Sequence, residues 1–126
     1  MDIKAINGKS VAAIAWETDR RVEREIVSKV AENVFKDGYR IMLTCEGEPI
    51  GDTELHTGLN DEFMSDAFAC DSCVLHVVDS KGQSITFVHF IYGNEGCYVV
   101  ADCGERAQQF MISDEEQDMY EGQCFG

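Results

Sequence analysis

The sequence predicts a two-layer α+β fold, with a mainly antiparallel sheet of four or five strands and one long helix packed on it. Three observations lead there. An apolar stripe of helical spacing runs over residues 22–35. Three alternating apolar runs lie between residues 73 and 103, joined by short turns rich in Gly, Asn and Asp. The chain has 126 residues, 44% of them hydrophobic. That suits a single domain over residues 1–126, which should bury roughly two-thirds of the surface of its unfolded form.

In chain order, residues 10–16 read as the first strong strand, with residues 4–6 as its hairpin partner across Asn7-Gly8, a dipeptide that suits a type I′ turn. The long helix follows. Val22, Ile26, Val30 and Val34 recur at i+4, and Val27, Ala31 and Phe35 widen the stripe. Thr18 or Asp19 would cap its start and Gly38 its end. Residues 39–44 form the next strand. Residues 45–60 hold the only proline, and they read as a long loop of the kind that is often functional. Asn60 would cap a short helix through residue 69.

The meander comes next, over residues 73–79, 83–92 and 97–103. The simplest register pairs Val78 with Gln83 and Tyr92 with Cys97. One face then carries Cys73, Leu75, Val77, Thr86, Val88, Phe90, Tyr92 and Cys103. The other carries Val74, His76, Val78, Ile85, Phe87, His89, Ile91, Tyr98, Val100 and Asp102. Both faces are mostly apolar, so both should be covered, one by the long helix. The other would be covered by the C-terminal segment or by a second copy of the chain. A short helix is expected over residues 105–111, then an acidic segment.

Charge excludes several function classes. The chain holds 24 Asp and Glu against 10 Lys and Arg, for a net charge of −14. Direct nucleic-acid binding needs clustered Lys and Arg, and so does attraction to an anionic membrane. No apolar run is long enough to span a bilayer, and the N-terminus lacks the apolar core of a signal peptide. The expected location is the cytoplasm. The charge is also uneven: residues 1–45 carry a net +1 and residues 46–126 a net −15. A concentrated acidic surface attracts basic partners and speeds encounter with them.

Catalytic and metal chemistry find little support. Cys70 and Cys73 form a CxxC with no second CxxC to complete a zinc site. It follows a short helix instead of opening one, so no helix dipole activates a thiol. A Cys70–Cys73 disulfide would need an oxidising compartment. The expected register separates Cys73 from Cys103 by two strand spacings and offsets His76 from His89 by four residues. His89 lies diagonal to Asp102, but no cysteine shares that face. Phosphate-binding glycine loops are absent. The reading is therefore non-enzymatic, with no cofactor and no metal.

Residues 90–102, Phe-Ile-Tyr-Gly-Asn-Glu-Gly-Cys-Tyr-Val-Val-Ala-Asp, resemble a strand–turn–strand of small acidic proteins encoded by plasmids and phages. The resemblance covers about a tenth of the chain and carries over no functional residue. It implies an inhibitor of the anti-CRISPR or anti-restriction type, which occludes a nuclease complex, in some members by imitating the charge of DNA. The expected partner is a basic protein or nucleoprotein complex in the host cytoplasm. The candidate partner-binding acids are Glu46, Glu48, Asp52, Glu54, Asp61, Glu62, Asp66, Asp114, Glu115 and Glu116; an inhibitor acting by steric block would instead use apolar contacts around Phe63, Phe68 and Tyr120. Two other classes stay open: an immunity protein that neutralises a toxin, and a thiol- or metal-dependent enzyme using Cys70, Cys73, His76 and His89.

Overall fold

A computed structural model describes residues 2–6, 9–13, 21–51, 55–92, 99–113 and 115–116. The class is α+β with antiparallel sheets. β1 (Asp2–Ile6) and β2 (Lys9–Ala13) form a two-stranded hairpin, paired Ile6 to Lys9. The main sheet has five strands in the order β4-β3-β5-β6-β7. These are β3 (Arg40–Cys45), β4 (Glu48–Pro49), β5 (Ser72–Val78), β6 (Ser84–Tyr92) and β7 (Val99–Cys103). β2 runs beside β7. The expected caps Thr18 and Asp19, and residues 14–16 of the expected first strand, lie outside the described residues.

One helix does not cover the sheet alone. Three helical segments cover it together, α1 (Arg21–Lys36), α2 (Asp61–Ala67) and a 3-10 helix (Glu105–Phe110). α1 buries Val27, Val30, Ala31 and Val34 completely, as its i+4 stripe dictates. It stops at Gly38, whose φ of 89° is left-handed. Gly38 N–H donates to the Phe35 carbonyl and Tyr39 N–H to the Val34 carbonyl, which satisfies the last helical acceptors. Asn33 Nδ2 donates to the Phe110 carbonyl at 3.0 Å, tying α1 to the 3-10 helix.

The expected face assignment of the meander holds, but its register does not. Val77 pairs with Thr86 and Tyr92 with Val99, a two-residue slip from the simplest pairing at both turns. The first slip comes from the turn. The Asp79 side chain accepts from Lys81 N–H and Gln83 N–H, and Gly82 takes φ 83°, so the turn extends to Gln83 and the ladder bulges at Val77–Val78. A slip of two preserves parity, so the residues from Cys73 to Val77 and from Thr86 to Tyr92 keep their expected faces, while Val78, expected on the other face, pairs with Ser84 at the bulge and is buried. Leu75, Val77, Val88 and Phe90 are fully buried under the helices. The opposite face is half-open: Met42, Val74, His76, Ile85, Phe87 and His89 are partly exposed, and Ile91 is exposed.

Residues 45–60 are not a structureless loop. The chain turns back at Glu46-Gly47, with Cys45 paired to Glu48. Ile50 and His56 both pair with the outer edge of β3. Ile50 N–H donates to the Leu43 carbonyl, and His56 and Ile41 exchange both backbone hydrogen bonds, at 3.0 and 2.7 Å. Edge carbonyls and amides of β3 that would otherwise face water are thereby paired.

Candidate acidic interface

The β3 edge positions the first two candidate acids. Glu46 has φ 53° and Gly47 φ 84°, the two left-handed residues of a type I′ hairpin turn. Glu46 is the one non-glycine residue with positive φ among those described. This turn holds Glu46 and Glu48 exposed, on either side of Gly47.

α2 positions the next group. The Asn60 side chain accepts from Phe63 N–H at 2.9 Å and caps the helix. Asp61 and Glu62 stand exposed in its first turn, where carboxylates complement the helix dipole. Phe63, expected at the interface, is instead fully buried. Its ring meets Phe35 edge-on at 6.0 Å and His56 at 5.3 Å. Phe68 is half-buried and stacks on Tyr92 at 4.6 Å. Tyr120 lies outside the described residues.

Asp66 departs from its expected role. It turns inward and places Oδ2 at 3.3 Å from Nε2 of buried His56. The contact is close enough for an ion pair, but its angle is poor for a hydrogen bond. Both Asp66 oxygens also crowd Gly51, where an added Cβ would lie 2.5 Å away and φ is 76°. Gly51→Ala should therefore cost about 1–3 kcal/mol in urea unfolding, from left-handed strain plus the clash. Adding Asp66→Ala removes the clash, so the double variant should lose less than the two single losses combined. Additive losses would contradict the contact.

Of the C-terminal acids, Glu115 is exposed, and Glu116 is held in place. Glu116 Oε1 accepts from Ser113 N–H, and Ser113 Oγ accepts from Glu116 N–H, a reciprocal capping box. Glu116 also pairs with Lys29 Nζ at 3.6 Å. The backbone hydrogen bond from Ser113 holds its carboxyl below the usual range. Asp52, Glu54 and Asp114 lie outside the described residues.

Glu46 and Glu48 thus stand at the β3–β4 turn, and Asp61 and Glu62 at the start of α2, whose Asp66 reaches His56 beside β3. Backbone hydrogen bonds hold Glu48, Pro49, Ile50 and His56 to β3. Along the chain, residues 41–80 contain nine acidic side chains and no Lys or Arg. Arg24 of α1 lies 5.8 Å from the Phe68 ring centre. It lines an open groove of about 420 Å³ with Asp61, Met64, Ser65 and Phe68.

The half-open sheet face carries His76 and His89. The register places His76 opposite Phe87 and His89 opposite Val74, so the two are diagonal neighbours, closer than expected. His89 pairs directly with Asp102 along the ladder, where a diagonal was expected. His76 Nε2 lies 2.9 Å from Thr44 Oγ1. Burial lowers the His76 pKa below 6.5, so folding favours the neutral ring. As pH falls through 6.5, the unfolded chain takes up this proton first, and stability held above that pH is lost. The urea midpoint should therefore fall between pH 7 and pH 5, and His76→Gln should shrink that fall. An undiminished fall would contradict the assignment.

Among the described residues, no three His, Cys, Asp or Glu side chains are arranged to hold a metal ion. No described helix is long and apolar enough to cross a membrane. Comparison with protein families, curated proteins and solved structures returned no match.

Proposed function

We propose that this protein is a non-enzymatic inhibitor from a mobile element, which sets its acidic edge against the basic nucleic-acid channel of a host defence complex. The supporting observation is the run of forty residues without Lys or Arg, in which Glu46, Glu48, Asp61 and Glu62 are exposed. DNA presents one charge per about 1.7 Å of axis, so carboxylates grouped on one edge offer Arg and Lys a comparable target. Asp66 and Glu116 drop out of the contact surface in this reading, because both are engaged within the fold. They shape the edge instead of touching the partner.

The test is competition. A labelled DNA duplex is bound to CRISPR effector and restriction complexes, and the protein is titrated in. Displacement of DNA from at least one complex supports the reading. Failure to displace DNA from any, at low salt and with excess protein, contradicts it.

A further inference from the structure

The half-open sheet face brings together two imidazoles that the simplest register keeps four residues out of step. The slip at the β5–β6 turn sets His76 opposite Phe87 and His89 opposite Val74, so the offset falls to two. Diagonal neighbours of this kind lie about 7–8 Å apart, within reach of long and aromatic side chains. A tetrahedral ion bonded to each nitrogen at about 2.0 Å needs those nitrogens roughly 3.3 Å apart, a spacing that two such imidazoles can adopt. Both rings are partly exposed, so an ion can enter from solvent. His56, the third histidine of the chain, is 2% exposed and lies beside the β3 edge instead.

The same face holds groups that prepare these ligands. Thr44, Val74, His89 and Asp102 follow one another in a row across β3, β5, β6 and β7. Thr44 Oγ1 lies 2.9 Å from His76 Nε2. When Nε2 carries the proton and donates to that oxygen, Nδ1 keeps the lone pair that a metal needs, and the ring is held by its other nitrogen. Burial favours the neutral ring of His76, the form that coordinates. Asp102 places an acidic residue next to His89 in the row.

We propose that His76 and His89 together bind a divalent transition ion of the zinc type, with water in its remaining positions. Imidazole suits zinc, copper and nickel, whereas magnesium and calcium take oxygen ligands. A structural zinc centre has four protein ligands, so this two-ligand site is an exchangeable one that clips β5 to β6.

The experiment titrates the full chain with zinc chloride by calorimetry and follows the three imidazole signals by NMR. One ion per chain is expected, shifting the His76 and His89 signals and leaving that of His56 in place. His76→Gln and His89→Gln should each weaken binding by at least about tenfold, and Thr44→Val by about tenfold. Excess magnesium chloride should not compete, and a variant with Cys45→Ser and Cys70→Ser should bind as the native chain does. The NMR result on the native chain stands even where a histidine variant fails to fold. No saturable uptake, unmoved His76 and His89 signals, affinity unchanged by loss of either histidine, competition by magnesium, or binding lost with the two cysteines would overturn the proposal.

Discussion

Truncating Phe63 to alanine is expected to destabilise the protein by about 3–5 kcal/mol. Phe63 is fully buried, and it joins three parts of the fold. Its ring is edge-on to Phe35 of α1 and to His56 on the β3 edge, and its own backbone N–H completes the Asn60 cap. Removing the ring leaves a cavity that these neighbours fill only in part. For a domain of this length the loss would take a large share of the total stability. The consequence for binding is indirect. α2 would lose its anchor, and Asp61 and Glu62 would leave the edge with it. Phe63→Leu keeps most of the buried volume and should cost clearly less. A loss under about 1 kcal/mol for Phe63→Ala in urea unfolding would contradict this packing.

Neutralising the edge should do the reverse, harming binding and sparing the fold. The variant carries Glu46→Gln, Glu48→Gln, Asp61→Asn and Glu62→Gln together. All four side chains are exposed, so unfolding free energy should change by no more than about 1 kcal/mol. If each carboxylate contributes about 0.5 kcal/mol to a basic partner, the four together are worth about 30-fold in affinity. Titration calorimetry against a complex that the native protein inhibits would read this directly. Phe63→Ala and the four-acid variant thus separate a folding defect from an interface defect.

Much of the fold is legible in the sequence because local rules and tertiary packing agree there. The alternation from Cys73 to Val77 and from Thr86 to Tyr92 assigns the core face correctly. A two-residue slip changes partners without changing faces, so that assignment survives the error in register. The slip itself depends on the Asp79 side chain capturing two backbone amides, a choice among turns that composition does not decide. The α1 stripe and its Gly38 stop are equally local.

The site is far less legible, because its pairings are long-range. Nothing local marks Asp66 as the acid that turns inward. Its partner His56 reaches it only because His56 pairs with Ile41 across the edge of β3. The acidic run of residues 41–80 is visible as composition. Separating its exposed members from its engaged ones requires the fold.

The central claim is that this edge acts by charge against a basic nucleic-acid channel. The most direct measurement is the dissociation constant for an inhibited complex at about 50 and about 200 mM salt, with the native chain and with the four-acid variant. Native affinity is expected to fall by about tenfold or more with added salt, and the variant, already weaker, to lose much less. Native binding that is indifferent to salt and matched by the variant would contradict it.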